Sequence, residues 1–243
     1  MSANVNLSDA KVRTFWEVGF TTIESLIDTE TVAAIRKLYD QFMDGTIECG
    51  DDFGKLGGVT RHVMYPQKHH PYFKDNPAIV AAKSIARKLS KCENPELTYD
   101  MLITKPPRHA KETPWHQDYA YAQTPVVPAG TKIPNQTLQF WVALDDVDLS
   151  NGCMCFVPKV HSAPLLEHVV YSGDPMDKDR MLAIRHPSKV LDLTQRITCP
   201  LKAGGCTIHF DGTPHFTPGN TTEDRQRRAY IFNLNVFQTS TQV

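Results

Sequence analysis

The chain has 243 residues, 41% hydrophobic and 22% charged, with a formal net charge of −1 and a mean hydropathy of −0.35. That length supports one well-buried core of ordinary globular composition, and the near-neutral balance excludes the basic excess expected where nucleic acid or a membrane surface is the main partner. The opening MSANVNLSDAKVR lacks the apolar core of a signal peptide, and no apolar run reaches the ~20 residues that span a bilayer, so a cytoplasmic, non-membrane protein is expected.

The first ninety residues favour helix. Ser8 or Asp9 can cap a short helix carrying Val12, Phe15 and Trp16, which Gly19 ends. Asp28 can cap a second, with Val32, Ile35, Leu38 and Phe42 at three- and four-residue spacing. Asp75 or Asn76 can cap a third, with Pro77 in its first turn and Ile79, Ala82, Ile85 and Leu89 on one face.

After Leu97 the pattern shifts to short β-like runs broken by Pro, Gly and Asn: LTYDMLIT, the stretch around PWHQDYAY, QTLQFWVAL, GCMCFVP, GGCTIHF and RRAYIFNLNVF. Helices first and strands after is an α+β order, with a mainly β core built as a sandwich or barrel. No repeat, low-complexity tract or Gly/Ser linker divides the chain, so one domain is expected over 1–243, helical to about residue 95 and β-rich beyond it. The six cysteines (Cys49, Cys92, Cys153, Cys155, Cys199 and Cys206) form no C-x-x-C pair and fit small buried side chains in a reduced compartment.

The chemistry-bearing stretch is PWHQDYAY, where His116 and Asp118 stand two apart. On a strand, residues i and i+2 share a face. The segment HFDGTPHFTPGN offers His209 and His215 as further ligands. Two imidazoles and one carboxylate on one face of a metal leave open positions, the arrangement of non-haem iron(II) oxygenases. The strand QTLQFWVAL puts Thr137, Gln139, Trp141 and Ala143 on one side, Gln139 and Trp141 as pocket walls or Trp141 as core.

The chain resembles the phytanoyl-CoA hydroxylase-like branch of the iron(II)/2-oxoglutarate dioxygenases. The resemblance runs through FWEVGFTTIESLIDTE, which is similar to the family's opening helix and strand, then MLITKPP, WHQD, FWVALDDVDLSNGCMCFVPKVH, HFTPGN and RRAYIFN, in the family's order and over most of the chain. It implies a double-stranded β-helix, a jelly-roll barrel with helices packed outside. It implies His116, Asp118 and His215 as iron ligands, with His209 behind them, and dioxygen and 2-oxoglutarate as co-substrates. The fork of an arginine matches a carboxylate, and the resemblance points to Arg227 as the clamp on 2-oxoglutarate, with Arg228 the alternative on the opposite strand face. Thr217 fits a hydroxyl donor to the same carboxylate, and Arg61 in GVTRHVMY resembles a basic residue near the co-substrate. Where the family has Pro-Gly-Ser-His, this chain has Pro158-Lys159-Val160-His161, which makes His161 a turn histidine and rules out a positive φ at the β-branched Val160.

The implied reaction is hydroxylation of an aliphatic C–H, or a related desaturation or ring-forming oxidation, with release of succinate and carbon dioxide, because halogenases on this scaffold need a small residue where Asp118 stands. Two basic stretches, one of Arg61, His62, Lys68, His69, His70 and Lys74 and one of Lys105, Arg108, His109 and Lys111, are either solvated faces or a handle for a small anionic substrate. Trp115, Tyr119 and Tyr121 are either pocket walls or barrel packing. A monomer or homodimer is expected. The alternative is a metal-dependent isomerase or a non-catalytic ligand-binding barrel, neither of which needs an arginine aimed at a keto acid.

Overall fold

The computed structural model describes residues 7–56, 60–121, 128–174, 176–177 and 181–236. Local chemistry sets its helices. Ser8 caps α1 (Asp9–Val18) by accepting the Lys11 N–H at 3.3 Å, and Gly19 ends it at φ +90°. Glycine is required there twice over, by the left-handed backbone and because a Cβ would lie 2.5 Å from the His161 ring. After β1 (Phe20–Ile23), Asp28 caps α2 (Thr29–Met43) by accepting the Thr31 N–H at 2.9 Å. The hairpin of β2 (Phe53–Leu56) and β3 (Thr60–Met64) and the short α3 (Pro66–His69) lead to α4 (Pro77–Ser90). Asn76 caps α4 through the N–H groups of Ala78 and Ile79. Each such cap contributes about 1 kcal/mol.

The remaining elements are β4 (Glu96–Lys105), β5 (Thr113–His116), β6 (Thr137–Ala143), β7 (Met154–Phe156), β8 (His168–Val170), β9 (Leu182–Ile184), α5 (Pro187–Val190), β10 (Ile197–Cys199), β11 (Cys206–Phe210), β12 (His215–Thr217) and β13 (Arg227–Asn235). They form a seven-stranded sheet ordered β1-β11-β6-β13-β4-β3-β2, a four-stranded sheet ordered β10-β7-β12-β5, and the separate pair β8-β9. The first part carries the helices expected from sequence and, between them, strands as well. Three of its segments are strands that complete both edges of the large sheet, because the sheet supplies partners that short local runs do not advertise.

Alternation along the strands sorts the side chains. Val63, Leu102, Leu138, Phe140, Val142, Ile208, Phe210, Tyr230, Phe232 and Leu234 pack outward against Phe15 of α1, Val32, Ile35 and Phe42 of α2, and Ile79 and Ile85 of α4. Burying each large apolar side chain stabilises by about 1.5–3 kcal/mol, so this layer fixes the register of the sheet. Inward-facing positions of β3, β4, β6 and β13 border a cavity of 570 Å³, which the small sheet bounds through His116, Met154, His215 and Thr217. All six cysteines are free and buried. No helix among the described residues is long and apolar enough to cross a membrane.

Candidate metal centre and co-substrate cavity

His116 ends β5 and His215 opens β12, directly opposite one another in the antiparallel register. Their ring centroids are 4.1 Å apart. His116 Nδ1 lies 2.7 Å from the Pro114 carbonyl oxygen, and His215 Nδ1 lies 2.9 Å from that of Thr213. A carbonyl only accepts, so both Nδ1 atoms carry the proton and both Nε2 atoms present lone pairs. Burial, with His116 beside it, holds the His215 pKa well below the ordinary imidazole range and keeps the ring neutral.

Asp118 completes the group, but not from a strand as its spacing suggested. It opens a 3₁₀ turn, Asp118–Tyr121. The break falls at Gln117, whose backbone N–H donates to His168 Nε2 at 3.1 Å instead of to a neighbouring strand. The buried Gln117 side chain donates to the Gly212 carbonyl at 2.8 Å and accepts the Leu166 N–H at 2.9 Å, pinning the turn from behind. The Asp118 oxygens then lie 3.5 Å from His116 Nε2 and 3.7 Å from His215 Nε2. Those separations are too long for hydrogen bonds. Ligand atoms of all three residues fall within 4.8 Å of one another, and a divalent cation would fill that space. Gln139 on β6 donates to Asp118 Oδ2 at 2.5 Å and fixes the carboxylate from the other side.

His209 stands behind this group, fully buried, its Nε2 3.6 Å from Asp118 Oδ2 and its ring 4.5 Å from that of His215. Neither of its ring nitrogens has a hydrogen-bond partner, and it falls outside the three residues whose ligand atoms converge.

At one end of the cavity, Arg227 is 2% exposed, donates from Nε to the Gly152 carbonyl at 3.0 Å, and lies 4.9 Å from the Trp141 ring centre. Thr217 and Trp141 border the same cavity. Arg228 has the opposite strand parity and turns to the helix side, where Nε and Nη2 bind Asp145 at 3.0 and 2.8 Å. Strand alternation thus separates the two candidate clamps. The same rule corrects Arg61. On β3, His62 and Met64 face the cavity, whereas Arg61 is exposed on the opposite side of the strand.

Of the two basic stretches, only His62 borders the cavity. Lys68 stacks over Tyr65, His69 binds Asp52, and Arg108 pairs with Glu223 at the surface. Tyr119 and Tyr121 line the cavity, but Trp115 does not; it stacks on Phe216, with ring centres 5.4 Å apart. Sequence reasoning placed Lys105 in a basic stretch but not its burial, 1% exposed beside Arg227, and it missed Asp211, a buried carboxyl on the cavity wall. Burial, and next the charge of Asp118, raise the Asp211 pKa to about 7. Its signal was its place four residues before His215; the signal for Lys105 was its parity with Met101 and Ile103.

Fold and site together define two packed β-sheets around a cavity that is lined by a buried arginine and by two imidazoles and a carboxylate, a donor set suited to a divalent transition metal. The sequence pattern of the phytanoyl-CoA dioxygenase (PhyH) family matches residues 15–229. The chain belongs to that family, whose class comprises oxidoreductases that use iron and 2-oxoglutarate. Phytanoyl-CoA dioxygenase domain-containing protein 1 of Rattus norvegicus is 25% identical over 68% of this chain, which spans about half of that relative (53%). The crystal structure of EvdO2 from Micromonospora carbonacea var. aurantiaca complexed with 2-oxoglutarate is similar at 27% identity, with a TM-score of 0.78 over 100% of this chain and 96% of that one. EctD from S. alaskensis with bound Fe shares the fold at 16% identity, with a TM-score of 0.73 over 95% and 77% of the two chains.

Proposed function

We propose that this protein is an iron(II)- and 2-oxoglutarate-dependent dioxygenase that hydroxylates an aliphatic C–H of a small organic substrate, releasing succinate and carbon dioxide. The carrying observation is the pair of lone-pair Nε2 atoms and the Asp118 carboxylate, gathered within 4.8 Å at a cavity that also buries Arg227. In this reading His116, Asp118 and His215 hold the iron, and Arg227 with Thr217 holds the distal carboxylate of 2-oxoglutarate. The two sheets form a double-stranded β-helix, and the chain works as one domain. When bound, the metal and co-substrate supply the oxidising chemistry with dioxygen.

The chain's own residues do the rest. The carbonyls of Pro114 and Thr213 hold the imidazole rings in the ligating tautomer. Gln139 orients the Asp118 carboxylate. The Trp141 ring, 4.9 Å away, holds the planar fork of Arg227 in place for two parallel hydrogen bonds. Tyr65, Tyr99, Met64, Met101 and Met181 give the rest of the cavity an aromatic and thioether wall that excludes water and grips an apolar substrate. A carboxylate at 118 occupies the position that a halide would need, which favours hydroxylation. With only His62 of the basic stretches at the wall, the cavity supports an organic substrate without requiring it to be an anion. An isomerase or a passive barrel leaves the buried Arg227 without a use. The test is succinate release from 2-oxoglutarate by iron-loaded protein: oxygen-dependent release is expected, and none under oxygen would overturn the proposal.

A further inference from the structure

Lys105 continues the inward series Tyr99, Met101 and Ile103 of β4 and pairs in register with Arg227 of β13. It is 1% exposed. Its Nζ donates to Thr217 Oγ1 at 2.8 Å, to the Pro218 carbonyl at 2.9 Å and to the Thr217 carbonyl at 3.2 Å. Three oxygens thus take the three N–H groups of an ammonium. Gly152 fits between the two cations; at φ +100°, a Cβ there would lie 3.6 Å from both Lys105 Cδ and Arg227 Nε.

Two features of this arrangement need an explanation. Lys105 and Arg227 are adjacent buried cations, and among the described residues neither has a carboxylate at ion-pair distance. Buried charge without a counter-ion is costly, and two like charges side by side cost more. The second feature is the hydroxyl of Thr217. Its oxygen already accepts from Lys105, and a hydroxyl has one hydrogen to give. Among the described residues the Thr217 hydroxyl donates to no acceptor, so its hydrogen is left for the cavity that the residue borders.

We propose that Lys105 is a positioning residue for the co-substrate: from behind the cavity wall it turns the Thr217 hydroxyl into a donor aimed at the distal carboxylate of 2-oxoglutarate, and it adds a second buried positive charge beside Arg227. This rests on the dioxygenase reading. It explains why a lysine that never reaches the cavity surface is held by three bonds, two of them to the residue Thr217. Burial, and secondarily Arg227, push the Lys105 pKa well below the ordinary lysine range, a strain that a dianionic guest relieves.

The experiment is an anaerobic titration of iron(II)-loaded protein, following the visible charge-transfer band, with 2-oxoglutarate and with 2-oxobutyrate, which has the same keto-acid end and no distal carboxylate. Lys105→Met should weaken 2-oxoglutarate about tenfold or more while leaving 2-oxobutyrate within about twofold, the loss expected for a hydrogen bond to a charged group. Lys105→Arg should recover part of the preference. Unchanged 2-oxoglutarate affinity, or an equal loss for both acids, would overturn the proposal. Should Lys105→Met not fold, Thr217→Val decides in its place. Because the lysine acts through that hydroxyl, Thr217→Val must also lose the preference for 2-oxoglutarate, and an intact preference rejects the role of Lys105. A wild-type protein that gives no band would overturn the dioxygenase reading itself, whereas a normal wild-type band with an unaffected variant overturns only the role of Lys105.

Discussion

Replacing Arg227 by glutamine removes the guanidinium that borders the cavity while keeping a polar side chain of intermediate length. A hydrogen bond to a charged group contributes about 1.5–3 kcal/mol, and a bidentate clamp makes two of them. The sum of about 3–6 kcal/mol, at 1.36 kcal/mol per factor of ten, corresponds to a loss of at least about 100-fold in affinity for 2-oxoglutarate. The bond to Gly152 at 3.0 Å and the contact with the Trp141 ring at 4.9 Å go as well, so some stability is lost with it. Arg228→Gln is the matched control. It breaks the bonds to Asp145 at 3.0 and 2.8 Å on the half-buried helix side, at a cost of about 1 kcal/mol of stability and none of co-substrate binding. The assay is the KM for 2-oxoglutarate from succinate formation, with a thermal melt of each variant. A near-normal KM for Arg227→Gln, or a large rise for Arg228→Gln, would refute the assignment by strand parity.

Asp118→Ala should lower turnover by about 100-fold or more and abolish the rise in melting temperature that iron(II) gives the wild type; a full iron-induced shift would show that the carboxylate is not a ligand. Gln139→Leu keeps the three ligands but frees Asp118, so the iron affinity should fall by about 10-fold or more, measured by anaerobic competition with a chelator. Asp100 is buried between the Gln67 N–H and the Tyr230 hydroxyl, and burial raises its pKa to about 7 from 3.8. The folded state therefore keeps a proton that the unfolded chain releases above pH 3.8, so stability falls as pH rises to about 7. A gap of about 3 pH units sets a ceiling of about 4 kcal/mol, and relaxation around the ion leaves roughly 1–2 kcal/mol. Asp100→Asn should thus raise the melting temperature more at pH 8 than at pH 4, and an equal change at both would reject the buried charge as the cause.

The sequence carried the starts of α1, α2 and α4, because Ser8, Asp28 and Asn76 are caps whose effect is local, but not the four-residue α3 and α5. It carried the separation of Arg227 from Arg228 only as two options, since parity means nothing until the sheet has an inside; the helices covering Phe232 and Tyr230 define one. The strand β1 follows the opening helix as the resemblance implied, whereas the hairpin of β2 and β3 was hidden because β4, which holds it to the sheet, lies far along the chain. Arg61 was misplaced for the same reason, its face being set by the pairing of His62 with Ile103. Lys159 takes φ +65°, so the bend before His161 uses a left-handed residue at the position where the family has its glycine. His161 behaves as the turn histidine expected, stacked on Phe210 with ring centres 5.6 Å apart. Lys105 was legible as a charge and invisible as a buried one, because only its neighbours across β12 and β13 enclose it.

The binding of iron(II) and 2-oxoglutarate to one site, under anaerobic conditions, bears most directly on what this cavity is for. A keto acid chelated to iron held by His116, Asp118 and His215 should give a visible charge-transfer band that saturates at one equivalent of 2-oxoglutarate and disappears in Asp118→Ala. A wild-type protein that binds iron(II) yet develops no band with excess 2-oxoglutarate would contradict the dioxygenase assignment outright.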